Sequence, residues 1–201
     1  RVDITPQLIH KNTDSVDVFI RVLDSWSVIP KGSVSSSGSN FELNERNVLG
    51  SGHELNTKFI NRFSDGKSAY GLAYTIPTIK NTFIKTTVSY NIDLDDYYGK
   101  SINFDRPFYS AFTKWAGGIY FDQQFRKDSL IDSNAAFAYQ NFKYNSQDLW
   151  LGYAFNVLKG NTESDRTTNL VVAGRFLNVK YLESPVIEYD PTDFYSNEKF
   201  S

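Results

Sequence analysis

Hydrophobic and polar residues alternate with a period of two along most of the chain, and the 3.6-residue period of an amphipathic helix is nearly absent. In residues 68–76, the large side chains Tyr70, Leu72, Tyr74 and Ile76 occupy even-numbered positions, which we call one parity of the strand. The odd-numbered positions, the opposite parity, carry small side chains. Because successive side chains of a strand point to opposite faces, this alternation predicts strands with one apolar and one polar face. The same pattern marks residues 53–63, 83–92, 113–125 and 147–157.

The predicted strands run to roughly 9–11 residues, which is long beside the ~5–6 residues usual in globular proteins. Transmembrane strands have this length because they cross the bilayer at a tilt. Signals for turns, rich in Ser, Asp, Gly and Pro, separate the strands at residues 35–38, 50–52, 64–66, 77–81, 107–112 and 160–165. The longest connection is expected at residues 183–196. The pattern therefore predicts an all-β fold, an antiparallel meander.

The strands of a soluble β-sandwich also alternate between apolar and polar residues. The residue types at the two parities therefore have to discriminate between a sandwich and a transmembrane barrel. The polar parity holds Gly, Ala, Asn, Lys and Asp, which suits a water-filled lumen better than a soluble surface. Tyr, Trp and Phe recur near strand ends, where the aromatic girdles of a membrane barrel lie. These features favour a transmembrane β-barrel over a sandwich. The residues predicted to face the lumen are Lys58, Arg62, Lys114 and Asp122.

Composition narrows the class of protein further. The 201 residues include no Cys, which excludes disulfides and thiolate metal sites. The 21 Lys and Arg residues against 23 Asp and Glu argue against nucleic acid as a partner. No apolar run approaches the ~20 residues of a membrane helix. The thirteen Tyr and sixteen Phe residues suit interfacial girdles and lipid-facing positions.

No residue pattern predicts catalysis, a cofactor or a metal ion. The Gly66-Lys67-Ser68 segment imitates the end of a phosphate-binding loop, but Asn61 stands where that motif needs Gly, so a hairpin turn is expected. The adjacent residues His53 and Glu54 point to opposite faces of a strand and form no catalytic pair.

Asp93, Asp95 and Asp96 lack the distal ligands of a calcium loop. They are interpreted as a solvated turn. The alternative of a surface loop that meets divalent ions or lipopolysaccharide stays open.

The first residues differ from the rest of the chain. Residues 2–9 and 15–23 predict a separate hairpin, in which Val16, Val18, Ile20 and Val22 share one parity. That second strand is a candidate edge for β-augmentation. A two-stranded hairpin is marginal on its own. We therefore expect the chain to be part of a longer protein.

The most distinctive string is Glu-Arg-Asn-Val-Leu-Gly-Ser-Gly-His-Glu-Leu at residues 45–55. Residues 40–55 resemble the early barrel of the BamA/TamA outer-membrane assembly superfamily, whose second strand typically ends in an Asn-x-Leu-Gly-x-Gly turn. The segments at residues 74–77 and 103–118 resemble later motifs of the same family. Residues 1–24 are similar to the last two strands of a POTRA domain, the periplasmic module that precedes such barrels.

This resemblance implies a 16-stranded barrel, of which about nine strands fall in residues 25–201. It places the first two strands at residues 26–33 and 41–48 and favours a single strand over residues 134–157. A lid loop and a closing strand would follow residue 201. The implied location is the outer membrane of a Gram-negative bacterium, with the N-terminal hairpin in the periplasm. The implied partners are outer-membrane lipid and lipopolysaccharide, client outer-membrane or secreted proteins, and periplasmic or lipoprotein accessory subunits, but no nucleic acid.

An assembly barrel would act without covalent chemistry. Its first strand would offer unpaired backbone N–H and C=O groups, which favour pairing with a client strand because they cost several kcal/mol each in lipid. Pro30 has no N–H, so it fits this unpaired edge, which we call the seam, better than it would fit a central strand. The residues assigned to this edge are Ser27, Val28, Ile29, Pro30, Lys31, Gly32 and Ser33.

Three alternatives stay open. The chain could be a passive channel, receptor or scaffold barrel. It could instead be the export barrel of a protein with a hydrolase domain upstream. The third alternative is a soluble β-sandwich that binds a ligand.

Overall fold

A computed structural model describes residues 2–8, 16–22, 26–131, 137–158, 167–183 and 199–200. These residues form β-strands joined by turns, with one three-residue 3-10 turn. The strands are β1 Val2–Leu8, β2 Val16–Val22, β3 Val28–Val34, β4 Gly38–Glu45, β5 Glu54–Arg62, β6 Ser68–Ile76, β7 Lys85–Ile92, β8 Tyr98–Arg106, β9 Trp115–Ile131, β10 Phe137–Asn156, β11 Asn169–Glu183 and β12 Lys199–Phe200.

Strands β3 to β12 form one sheet in which every neighbour in space is also a neighbour in sequence. All of its pairings are antiparallel. The two-residue β12 leaves nine substantial strands, so the prediction of an all-β antiparallel meander with about nine strands is confirmed. Within the described residues the sheet does not close, and β3 pairs only with β4.

The turn between β4 and β5 differs from the prediction. A strand was expected at residues 41–48, but β4 begins at Gly38, ends at Glu45 and is followed by a 3-10 turn. Asn47 ends the strand because its Oδ1 accepts the Gly52 N–H at 2.6 Å and draws the chain back. Leu49 then has a φ of 50°.

The sheet has its longest strands at β9, β10 and β11. The expected single strand over residues 134–157 is confirmed in its described part, because β10 runs unbroken for 20 residues. β9 has 17 residues and β11 has 15, which exceed the expected length. The first β8 residue, Tyr98, pairs with Phe125, so residues 126–131 of β9 continue past β8 with β10 as their partner.

The sheet contains almost no apolar core of its own. Among the described residues the buried hydrophobic side chains are Ala69, Ala116, Phe142 and Ala154. Hydrophobic burial is the main favourable term in folding a soluble domain. Among the described residues, most of the large hydrophobic side chains of this sheet are therefore left exposed or only partly buried.

Strands β1 and β2 form a separate two-stranded sheet, so the predicted hairpin is confirmed where it is described. Its register pairs Ile4 with Ile20 and Pro6 with Val18 on one face. Ile4, Val18, Ile20 and Val22 are all exposed. These four side chains therefore form an exposed apolar surface on one face of the hairpin.

Candidate functional site: the two faces of the sheet

The register defines two chemically different faces. Residues opposite each other on neighbouring strands share a face, and one such row passes through Glu42, Lys58, Gly71, Asn91 and Gly99 and on to Gln124 and Tyr144. We call the side that carries this row the polar face and the opposite side the apolar face.

The apolar face carries large hydrophobic side chains that remain exposed. Relative exposure lies between 38% and 59% for twelve of them: Phe41, Leu43, Tyr70, Leu72, Val88, Tyr90, Ile119, Phe121, Leu149, Leu151, Phe155 and Val172. Contiguous exposed apolar surface of this kind marks a contact with protein or membrane.

The exposed hydrophobic residues form a band that runs obliquely across the strands. The midpoint of the band lies at position 42 on β4, and the register carries that position to Tyr144 on β10. On β10 the band instead runs from Leu149 to Phe155, with its midpoint at position 152. On β6 the hydrophobic residues of this face run from Tyr70 to Ile76 when the half-buried Tyr74 and Ile76 are included, so their midpoint lies at position 73, two residues beyond Gly71.

This displacement measures the tilt of the strands relative to the band. A shift of about eight residues at about 3.3 Å each, over six strand spacings of about 4.8 Å, gives a tilt of about 42°. Strands of closed barrels tilt by 35–45° relative to the barrel axis. The band therefore has the obliquity that a horizontal belt would have on a barrel.

The polar face is more crowded, although its side chains are mostly smaller. Gly99, Ala116 and Ala154 are buried on this face, as are Ala69 and Thr75. On a curved sheet, side chains converge on the concave side and diverge on the convex side. The difference in exposure therefore indicates that the polar face is the concave one.

Hydrogen bonds and ion pairs connect side chains of neighbouring strands on the polar face. Thr75 and Thr87 hydroxyls lie 3.1 Å apart, and those of Ser89 and Ser101 lie 2.7 Å apart. Lys31 pairs with Glu42 at 3.5 Å. In addition, the Arg175 guanidinium donates two hydrogen bonds to the Asp148 carboxylate. Sequence reasoning missed all of these partners because they depend on the register between strands.

The register places Lys58, Arg62 and Asp122 on the polar face, where the lumen-facing residues were predicted. Lys114 lies just before β9, and its carbonyl oxygen accepts the Ala154 N–H at 2.9 Å. Lys58 and Arg62 lie on β5, and Asp122 lies on β9, so the four residues form no single cluster. Their exposure to a lumen stays a prediction.

Charged side chains connect two neighbouring turns at one end of the sheet. Arg62 Nη2 donates to Asp65 Oδ2 at 2.5 Å within the β5–β6 turn. Lys67 Nζ from the same turn donates to Asp95 Oδ1 in the β7–β8 turn at 2.6 Å. These bonds hold the pKa of both carboxyl groups below the usual range, and the Arg62 hydrogen bond lowers the pKa of Asp65 from 3.8 to about 2.

We expect the Asp65 carboxyl to titrate near pH 2. Its pKa is lower in the folded chain, so its contribution to stability is complete above the unfolded value of 3.8 and is lost as the pH falls through about 2. Carboxyl-carbon NMR of the folded protein in detergent measures this pKa directly. The substitution Arg62→Gln should return the pKa toward 3.8, and a pKa that is the same in both proteins would contradict the assignment.

Aromatic and arginine side chains connect the turns at the opposite end. Phe83 stacks on Tyr109 with ring centroids 3.9 Å apart. Arg106 lies over Tyr109 and donates to the carbonyl oxygens of Thr82 and Trp115. These contacts link the β6–β7 and β8–β9 connections, and the alternating pattern gave no sign of them.

His53 lies at the same end of the sheet. Its Nδ1 is 2.5 Å from the Tyr74 hydroxyl. The sequence excluded a pair with Glu54 but did not predict this partner.

Strand β3 is an edge of the sheet in the described part of the chain. It begins at Val28 rather than at residue 26, although the Ser27 carbonyl oxygen still accepts the Arg46 N–H at 2.9 Å. Pro30 lies opposite Leu43 on the apolar face. All seven residues assigned to the seam thus lie in this strand or directly before it, while their role in client pairing stays a prediction.

The fold and the two faces define a class, an open antiparallel β-meander with one exposed apolar face. In the described ranges, no helix has the length and apolar character needed to span a membrane. No group of three or more His, Asp or Glu residues within those ranges could hold a metal ion. No known protein family, curated protein or solved structure matches the chain.

Proposed function

We propose that the chain is the N-terminal part of an outer-membrane β-barrel of the BamA/TamA-like assembly type, preceded by the end of a POTRA domain. The observation that carries the membrane assignment is the oblique band of exposed hydrophobic residues on the apolar face. A lipid bilayer would cover such a band, and no protein element covers it in the described residues.

The height of the band supports this assignment. On β10 the band runs from Leu149 to Phe155. Seven residues at about 3.3 Å each, tilted by about 42°, span a vertical distance of about 17 Å. This height fits within the outward apolar band of outer-membrane barrels, which is about 25 Å tall. The polar, concave face would then enclose an aqueous interior.

The assembly function is proposed from the edge strand and the motifs. β3 leaves one side unpaired in the described sheet. Backbone groups on that side would favour a client strand as partner, because lipid satisfies none of their hydrogen bonds. Pro30 removes one donor from the strand and weakens permanent pairing there. The motif at residues 45–55 and the apolar hairpin β1–β2 support the same family.

A passive channel is the second candidate, and the charged side chains Lys58, Arg62 and Asp122 on the polar face favour it. Reversing these charges would change single-channel conductance in a planar bilayer if the protein were a channel. Depletion of an assembly barrel would instead lower the levels of other outer-membrane barrels. The two measurements separate the candidates.

We expect the complete protein that contains this chain to fold into phosphatidylcholine liposomes as a heat-modifiable species, because only a closed barrel satisfies all strand hydrogen bonds in lipid. The unboiled protein should migrate differently from the boiled protein on a gel, since long antiparallel pairing resists detergent at room temperature. A soluble, monomeric and unshifted protein without detergent would contradict the membrane assignment and would favour the β-sandwich. Heat-modifiable migration tests insertion alone and leaves the assembly role to the crosslinking described below.

A further inference from the structure

The apolar face is interrupted by basic side chains at one corner. Two of the charged residues on this face, Glu45 and Arg106, are the last residues of β4 and β8. They lie at the end of the sheet where β3 begins. The other charged residues lie together on β8 to β11 and are Lys100, Lys127, Lys143, Lys180 and Glu183. We call the four lysines the basic patch.

The basic patch lies directly beyond the hydrophobic band. Along β10 the apolar face changes from Leu149 to Gln147, Asn145 and then Lys143. On the neighbouring strand β11 it changes from Phe176 to Asn178 and Lys180 in the same direction. Because the band is oblique, the corresponding rows on β6 and β7 still carry apolar residues.

One row of the register connects two of the lysines through amides. Lys100, Gln123, Asn145 and Lys180 lie side by side on β8 to β11. Gln123 Nε2 donates to Asn145 Oδ1 at 2.7 Å. The row spans three strand spacings, or about 14 Å. It therefore presents two cations with hydrogen-bonding groups between them.

The patch has excess positive charge. Lys143 pairs with Glu183 at 3.8 Å. In the residues that the structure describes, no carboxylate pairs with Lys100, Lys127 or Lys180. Lys127 lies 5.0 Å from the centre of the exposed Tyr139 ring. Lysine and tyrosine side by side are typical of a membrane interface.

We propose that the basic patch binds the phosphate groups of anionic outer-leaflet lipid headgroups. This inference rests on the proposed membrane barrel, in which the apolar face contacts lipid. The patch lies at the end of the sheet where β3 ends, because the alternating antiparallel pairings put the end of β3 at Val34 on the same side as the end of β9 and the start of β10. This end is distal to the N-terminal hairpin. With the hairpin in the periplasm, this end is the outer one, where phosphorylated lipopolysaccharide supplies the headgroups.

The test compares lipids that differ only in phosphate. The folded protein in neutral-detergent micelles is titrated with bisphosphorylated lipid A and with the same lipid after dephosphorylation, and native mass spectrometry counts the retained lipid. We expect bisphosphorylated lipid A to bind at least tenfold more tightly. Equal binding of the two lipids would overturn the proposal without any variant having to fold.

Substitutions then locate the site. Each basic residue near an anionic surface contributes about 1 kcal/mol, or about fivefold in affinity. We expect the combined variant Lys100→Gln, Lys127→Gln and Lys180→Gln to bind lipid A at least tenfold more weakly. The matched control Arg46→Gln, Lys80→Gln and Lys85→Gln removes the same charge from the opposite end and should bind as the original protein does.

Three outcomes would overturn the site. An equal loss in both variants would mean that net charge alone attracts the lipid. No loss in the first variant would place the phosphates elsewhere. Inorganic phosphate that displaces the lipid at equal concentration would make this a simple anion site. Heat-modifiable migration, measured on the same samples, tests the barrel fold separately. A protein that shows this migration but binds both forms of lipid A equally contradicts the phosphate inference and leaves the membrane assignment intact.

Discussion

Arginine in place of Ile119 will strongly reduce folding into lipid bilayers. Ile119 lies between Phe104 and Leu149 on the apolar face, near the middle of the hydrophobic band on β9. An arginine facing lipid at the bilayer midplane costs about 2–4 kcal/mol. The folding equilibrium should therefore fall by about 30-fold or more. Urea-dependent folding into phosphatidylcholine liposomes, followed by heat-modifiable gel migration, measures this change.

The neighbouring residue supplies the matched control. Tyr120 lies on the polar face, opposite Asn103 and Asp148. The substitution Tyr120→Arg introduces the same side chain one residue away, but on the side that would face water. We expect it to fold nearly as well as the original protein. If both arginine variants fold equally, the assignment of lipid to the apolar face is wrong.

Cysteines along β3 should capture client proteins in cells that are assembling outer-membrane proteins. These 201 residues contain no Cys, so an introduced Cys is the only thiol within this part of the protein. We expect Lys31→Cys and Ser33→Cys to form adducts with newly made barrels when a short bifunctional thiol reagent is added, because an incoming strand would pair with this edge. Immunoblotting detects the adducts, and mass spectrometry identifies the partner.

A strand paired on both sides gives the comparison. Asn56 of β5 lies opposite Asn44 and Ala73, so Asn56→Cys should give no client adduct. A disulfide that locks β3 to the strand closing the barrel should abolish assembly, and reduction should restore it. Assembly that continues unchanged in the locked barrel would refute a role for this seam.

Much of the sheet could be predicted because each strand reports its own two faces. In β6, the parity of Tyr70, Leu72 and Tyr74 predicted the face that the register then gave them. Local alternation carries this information because a strand repeats every two residues, whatever it pairs with. The turn at Gly66 was predictable for a similar reason, since its φ of 69° suits glycine.

Features that depend on two strands at once were not predictable. The length of β9 beyond Phe125 depends on β10 continuing as its partner after β8 has ended. The pairing of Lys67 with Asp95 joins turns 28 residues apart in the chain. The basic patch becomes visible only when Lys100 and Lys180 are aligned by the register. A single sequence does not contain these alignments.

The tilt given by the oblique band also determines the radius of the barrel that the sheet would form if it closed. A displacement of about eight residues in six steps becomes a shear number of about 21 when extended over the sixteen strands that the family resemblance implies. With that tilt, the backbone cylinder would have a radius of about 16 Å. The nine substantial strands would then cover a little over half of the circumference, with β3 as one edge of this open, curved sheet. A cylinder of this width is too wide for facing side chains to meet across its axis.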